Sequence, residues 1–129
     1  ATIGIHMAPP AVGLVSYLAV TTGAPDGFAL GLFGYAVLQA AVMARLVPWL
    51  KGQPFGAPWW AYSFAVAALP LGAMRMVERG AEGTVALLAP VLFVLANLII
   101  GGFFLASLTR LAQGRYVPPM SAPTPPSVA

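Results

Sequence analysis

The sequence predicts an all-α membrane protein whose four transmembrane helices form two antiparallel hairpins. Of its 129 residues 60% are hydrophobic and only 7% are charged, whereas about 25% of the residues in an ordinary globular chain are charged. The mean hydropathy is +0.88. Four apolar segments, each long enough to cross a bilayer, are separated by short loops that contain Gly, Pro or charges. The lipid bilayer is therefore the expected solvent.

The first predicted helix covers residues 3–22. Pro9 and Pro10 near its start predict a kink, because proline removes a backbone donor that neighbouring helices must compensate. Polar and small residues recur on one helical face: His6, Pro10, Gly13, Ser16 and Tyr17. Such a face either lines a lumen or allows another helix to approach closely, and the sequence leaves both open. For His6, a proton relay is the less favoured interpretation, because a histidine near the membrane interface needs no function.

A turn with Gly23, Pro25, Asp26 and Gly27 leads into the second predicted helix, residues 28–47. This segment has no charge before Arg45, and its roughly 20 residues match a hydrocarbon core of about 30 Å. Its end is predicted at Pro48.

The third predicted helix covers residues 58–76 and begins with an aromatic cluster, Trp59, Trp60 and Tyr62. Aromatic side chains of this kind suit the headgroup layer. One face then carries a ring above small side chains: Ser63, Phe64, Ala67, Ala68 and Leu71. The pattern is typical of a pore-lining helix and equally of a tightly packed one. Pro70 predicts a bend in its interior.

The fourth predicted helix covers residues 84–108 and is almost purely apolar. Asn97, Gly101 and Gly102 are interpreted as packing positions on an outer helix. Residues 118–129 are rich in Pro, Ser, Ala and Thr, which predicts a disordered tail.

The distribution of charge predicts the orientation. One side holds four basic anchors and no acid: Arg45, Lys51, Arg110 and Arg115. The other side holds Asp26, Arg75, Glu78, Arg79 and Glu82. The positive-inside rule therefore predicts that the C-terminus is cytoplasmic.

Several functional classes are disfavoured by composition. The chain has no cysteine, one histidine and three acidic residues, which are too few for a metal site or a catalytic constellation. No metal, cofactor or enzymatic activity is expected. The six basic residues are scattered, so a nucleic-acid partner is not expected.

Four separated motifs carry a family resemblance: IHMAPPAVGLVSYL, LFGYAVLQAAVMARLVPWLKGQPF, PWWAYSFAVAAL and LLAPVLFVLANLII. In this order and spacing they resemble the C-terminal part of the bacterial tellurite-resistance (TehA), plant slow anion channel and malic-acid transporter family. The resemblance implies ten helices in five hairpins around a central pore, with proline-kinked odd helices inside, and commonly a homotrimer. It places this chain at helices seven to ten.

The resemblance also implies a pore gate. The aromatic residue that plugs the pore in the family corresponds to Phe64, which follows Trp60, Tyr62 and Ser63. Relatives often place Pro or Gly directly after it, whereas this chain has Ala65 there and Pro70 further on. The depth of the ring therefore stays open.

Three functional hypotheses follow. The first is a passive anion channel or uniporter of the bacterial inner membrane with an aromatic gate, because no Lys or Arg lies in the interior of the first or third helix. The second is a proton-coupled exporter of C4-dicarboxylates such as malate, or of sulfite. The third is a membrane scaffold that transports nothing. Small inorganic or dicarboxylate anions are the expected partners under the first two.

Overall fold

A computed structural model describes residues 6–50, 52 and 55–116. It contains four α-helices: α1 (Ala8–Val20), α2 (Gly27–Leu50), α3 (Ala61–Glu78) and α4 (Thr84–Ala112), with a short 3₁₀ helix over Ala57–Trp60 before α3. No strand occurs among these residues. The predicted all-helical fold is confirmed. The predicted tail and Lys51 lie outside the described residues.

Three helical segments are long and apolar enough to cross a membrane: Gly27–Trp49, Ala57–Glu78 and Thr84–Ala112. Helix α1 has 13 residues, which at about 1.5 Å each span roughly 20 Å and fall short of a hydrocarbon core. The sequence predicted a start near residue 3, and residues 3–5 lie outside the described part of the chain.

Two helices extend beyond their predicted ends. Helix α2 continues past Pro48 to Leu50, because proline in a last turn removes one hydrogen bond without preventing the next residues from remaining helical. Helix α4 continues to Ala112. Gly114 then adopts a φ of 64°, and the amide of Arg115 donates to the carbonyl of Arg110 at 2.9 Å. This Schellman motif, which favours glycine, sets the end of α4.

Helices α1 and α3 run parallel and pack directly against each other. Leu14 is fully buried (0% exposed), and a Cβ added at Gly72 would lie 2.6 Å from its Cδ2 atom. About two helical turns further along α3, the Arg79 guanidinium donates to the carbonyl of Leu18 and, at 3.4 Å, to Oγ1 of Thr21. The two helices therefore keep the same alignment along their whole contact, which we call the seam. They can approach this closely because Gly72 has no side chain.

Helices α2 and α4 cover one flank of the α1–α3 pair. Helix α1 turns Gly13 toward Leu32 of α2, and the ring of Tyr17 meets Phe28 edge-on at 4.9 Å between centroids. At the start of α3, Trp60 Nε1 donates to Oγ of Ser107 on α4 at 2.9 Å. Helix α4 lies on the same side of α3 as α2, because Met43 of α2, Leu69 of α3 and Leu95 of α4 line one shared apolar cavity. The helices thus form an inner layer, α1 and α3, and an outer layer, α2 and α4.

The turn between α1 and α2 is held by Asp26. One carboxylate oxygen accepts from the Ala29 amide at 2.9 Å and so caps the N-terminus of α2, while the other accepts from the Tyr17 hydroxyl. These two hydrogen bonds, with that from Tyr17 the stronger influence, hold the pKa of Asp26 below its ordinary value.

We expect substitutions at Gly72 to loosen the inner layer. Gly72→Ala forces Leu14 to move within a packed seam, and overpacking of this kind costs about 1–3 kcal/mol. Thermal unfolding in detergent should therefore show a lower midpoint. Gly101→Ala is the matched control, because an added Cβ meets nothing within 4 Å there and alanine favours a helix over glycine. Equal effects of the two substitutions would contradict the close approach at Gly72.

We also expect the stability of the turn to depend on acid through Asp26. Because the folded-state pKa of Asp26 is depressed, its contribution is present above the unfolded-state value of about 3.9 and is lost as the pH falls through the folded-state pKa. Thermal midpoints measured between about pH 6 and pH 2 should fall with acid.

Asp26→Asn should flatten that acid-dependent decrease, and Tyr17→Phe should reduce it. Glu82→Gln is the control, since Glu82 is an exposed loop carboxylate. An unchanged acid profile in Asp26→Asn would contradict the role assigned to the Asp26 carboxylate.

Candidate pore-facing surface

The inner layer has one side that no described helix covers. On α3, Phe64 (64% exposed) and Leu71 (44% exposed) lie on this side. On α1 the positions left uncovered begin at Ser16, at the edge of the α2 contact made by Gly13 and Tyr17, and continue through Val12 and Ala19 on the side away from that contact. We call this surface the free face and define it by Val12, Ser16, Ala19, Phe64, Ala67 and Leu71; all are exposed except Val12, which is half-buried.

Phe64 is the only aromatic side chain on the free face as defined here, and it lies in the first turn of α3. Its ring projects beyond the small side chain of Ala67, one turn further along the helix. The neighbouring Ser63 is half-buried and donates its hydroxyl to the carbonyl of Trp60 at 2.6 Å. The Ser63 hydroxyl therefore has its hydrogen-bond partner at the start of the same helix. The Phe64 side chain, by contrast, leaves a large apolar surface exposed.

Apart from the half-buried Ser63, the predicted gate and pore-lining residues fall into three groups in the structure. Ser16, Phe64, Ala67 and Leu71 lie on the free face. Pro10 and Ala68 are buried in the helix packing. Gly13 and Tyr17 turn toward α2, where Tyr17 contacts Phe28 and donates to Asp26.

The three prolines predicted as kinks occupy different positions. Pro9 and Pro10 lie in the first turn of α1, where the missing amide donors have no partner within the helix in any case. His6 and Met7 precede them in a 3₁₀ turn, and residues 1–5 lie outside the described part of the chain. Pro70 is buried inside α3, which continues through it to Glu78.

Two residues of the free face, Val12 and Ala19, were not predicted from the sequence. Their spacing with Ser16 is helical, but only the direction of the α1–α3 seam identifies that stripe as the uncovered one.

Asn97 on α4 donates its side-chain amide to the carbonyl of Phe93 at 2.8 Å. The amide is thereby satisfied within its own helix, as an apolar environment requires.

Charges lie at the two ends of the inner layer. At one end Arg75 and Glu78 form an exposed ion pair with 3.1 Å between Nη1 and Oε2. The opposite end carries three of the predicted basic anchors: Arg45 and Arg115 are exposed, and Arg110 is half-buried with its guanidinium 5.9 Å from the ring centre of Phe55. Between these ends the free face, as defined above, contains no ionisable side chain.

Comparison with known proteins identifies a relative. The chain is 32% identical over 116 residues to the tellurite resistance protein TehA homolog of Haemophilus influenzae, an alignment that covers 90% of this chain. The chain covers 34% of the length of that relative. No protein-family model matches the chain, and no solved structure matches it significantly. The resemblance seen in the four sequence motifs is confirmed: the chain belongs to the tellurite-resistance TehA family, as a membrane segment about a third of the length of this relative.

Proposed function

We propose that this chain contributes part of the wall of an anion pathway, with α1 and α3 facing the lumen and Phe64 as the gate. The observation that carries the proposal is the asymmetry of the inner layer. One flank is covered by α2 and α4, whereas the other exposes Phe64 above a lane of small and aliphatic side chains. Relationship to a tellurite-resistance protein favours a transport function over an enzymatic one.

The gate would act by excluding water. A ring placed across a narrow lumen offers a permeating anion no replacement for its hydration shell, so the closed constriction is dewetted. The small side chain of Ala67 beside Phe64 leaves space into which the ring can rotate. Opening then requires a change of side-chain rotamer rather than a movement of whole helices.

Passive conduction is favoured over a proton-coupled carrier by the chemistry of the free face. A proton-coupled exporter of malate or sulfite requires a titratable group along the pathway, and the free face defined above has none. The Arg75–Glu78 pair lies at its end and is internally neutralised. An anion would therefore be attracted by charges at the mouths and by backbone dipoles, which favours weak and rapid binding.

We further propose that the complete protein is a homotrimer of the bacterial inner membrane, with one pore per subunit. The family resemblance supports the trimer. The positive-inside rule supports a cytoplasmic location for the end that carries Arg45, Arg110 and Arg115, and hence for the C-terminus.

Phe64→Ala should increase anion flux in the full-length protein. Removing the ring allows the constriction to hydrate, and we expect chloride flux in proteoliposomes to rise about tenfold or more, which corresponds to a barrier lowered by about 1.4 kcal/mol. Currents should reverse at the anion equilibrium potential and should not depend on a pH gradient.

Phe104→Ala is the matched control, because Phe104 is an equally apolar and 54% exposed ring on the outer helix α4. It should leave flux unchanged. Unchanged flux in Phe64→Ala would refute the gate, and flux that requires a pH gradient would favour the carrier. Absence of flux for any small anion in both proteins would leave the scaffold hypothesis.

A further inference from the structure

We infer that the outer layer of this chain holds one acyl chain of an anionic phospholipid in a groove between α2 and α4. This site is distinct from the proposed pathway and does not depend on it, because it lies on the opposite flank of α3. Three observations carry the inference: an apolar cavity, a buried hydroxyl at its wall that has no hydrogen-bond partner among the described residues, and a guanidinium beside its aromatic rim.

The cavity has a volume of about 560 Å³, within the range of roughly 300–1,000 Å³ typical of small-molecule sites. Its walls come from Met43 and Val47 of α2, Val66 and Leu69 of α3, and Ile99 of α4, among other apolar residues. The lining follows α4 from Leu92 to Phe103, about 16 Å at 1.5 Å per residue. That length is about half of a 30 Å hydrocarbon core, which is the depth of one leaflet.

Tyr62 also lines this cavity. The residue is 8% exposed, and its hydroxyl has no hydrogen-bond partner among the residues that the structure describes. Burying an unpaired hydroxyl in an apolar environment is costly. A lipid whose chain fills the groove can resolve this cost, because an ester carbonyl at the top of the chain accepts a hydrogen bond. Tyr62 follows Trp59 and Trp60, the interfacial aromatic residues, by about one helical turn, a depth that suits an ester.

An anionic headgroup is indicated by Arg110. Trp59 and Phe103 line the cavity, and the ring of Phe55 lies 5.6 Å from Trp59 and 6.0 Å from Phe103 between centroids. The Arg110 guanidinium lies over that Phe55 ring. A cation is thus held one ring away from the groove. Arg45 is exposed on α2 beside Ala44, a lining residue, so both charges favour a phosphate from the same leaflet.

Glycine residues 101 and 102 offer a matched pair of variants. An added Cβ meets nothing within 4 Å at either position, but only Gly102 lines the cavity. Gly102→Leu therefore fills the groove, and Gly101→Leu adds the same side chain outside it. Circular dichroism and size-exclusion profiles establish that each variant is folded.

The test is native mass spectrometry of the full-length protein released from nanodiscs that contain equal amounts of phosphatidylglycerol and phosphatidylcholine. We expect bound phosphatidylglycerol in the parent protein and in Gly101→Leu, and its loss in Gly102→Leu. Arg110→Gln should weaken the preference for phosphatidylglycerol, whereas Arg115→Gln should retain it in full. Tyr62→Phe should lower occupancy by about fivefold, since it removes one neutral hydrogen bond.

Equal lipid occupancy in Gly101→Leu and Gly102→Leu would overturn the inference. So would a parent protein without bound lipid whose oligomer dissociates in Gly102→Leu, because the groove would then be filled by another part of the protein assembly. Chloride flux in the same samples separates this inference from the proposed pathway. Loss of bound lipid with retained flux would show that the groove, and not the pathway, was changed. Loss of flux with retained lipid would show the opposite.

Discussion

The close approach of Leu14 and Gly72 is the contact on which the rest of this structure depends. Within a membrane the helices gain little from excluding water, so they are held by packing of small residues and by a few hydrogen bonds. A side chain at position 72 would collide with the fully buried Leu14. Because this seam fixes the rotation of both helices, it decides which stripe of α1 and of α3 is covered and which is left free.

The side-chain hydrogen bonds of the described residues are likewise short-range or lie at the ends of the helices. Polar groups are satisfied locally, as with Asn97 and the Phe93 carbonyl, or at the layer ends, as with Arg79 and the last turn of α1. A cation beside a helix C-terminus is electrostatically favourable. The interior of the inner layer is thereby free of charge, which leaves the proposed anion pathway without a tight binding site of its own. Selectivity must then arise at the mouths or from parts of the protein beyond this segment.

The sequence predicted the helices well because their signal is local. Apolar length identified the spans, and glycine and proline marked the turns. Which face of each helix is covered was less accessible. Gly13, Ser16 and Tyr17 share a helical stripe, yet Gly13 and Tyr17 turn toward α2 while Ser16 is exposed. The stripe straddles the edge of the α1–α2 contact, and periodicity alone contains no information about where a neighbour lies. The groove of Tyr62 was missed for the same reason, since it requires three helices.

Tyr62 and Phe64 show why the rotation of α3 about its own axis matters. They are two positions apart in the sequence and project about 200° from each other around α3. The Tyr62 hydroxyl is buried at the outer groove, whereas the Phe64 ring is exposed on the free face. Any rotation of α3 that moved the ring further into a lumen would also withdraw the hydroxyl from the groove. A lipid bound to Tyr62 would therefore resist such rotation of α3. A change of the Phe64 rotamer would then require less energy than a rotation of the helix. Under the proposed function, the Phe64 side chain would then be the gate, and a bound lipid would fix the orientation of α3.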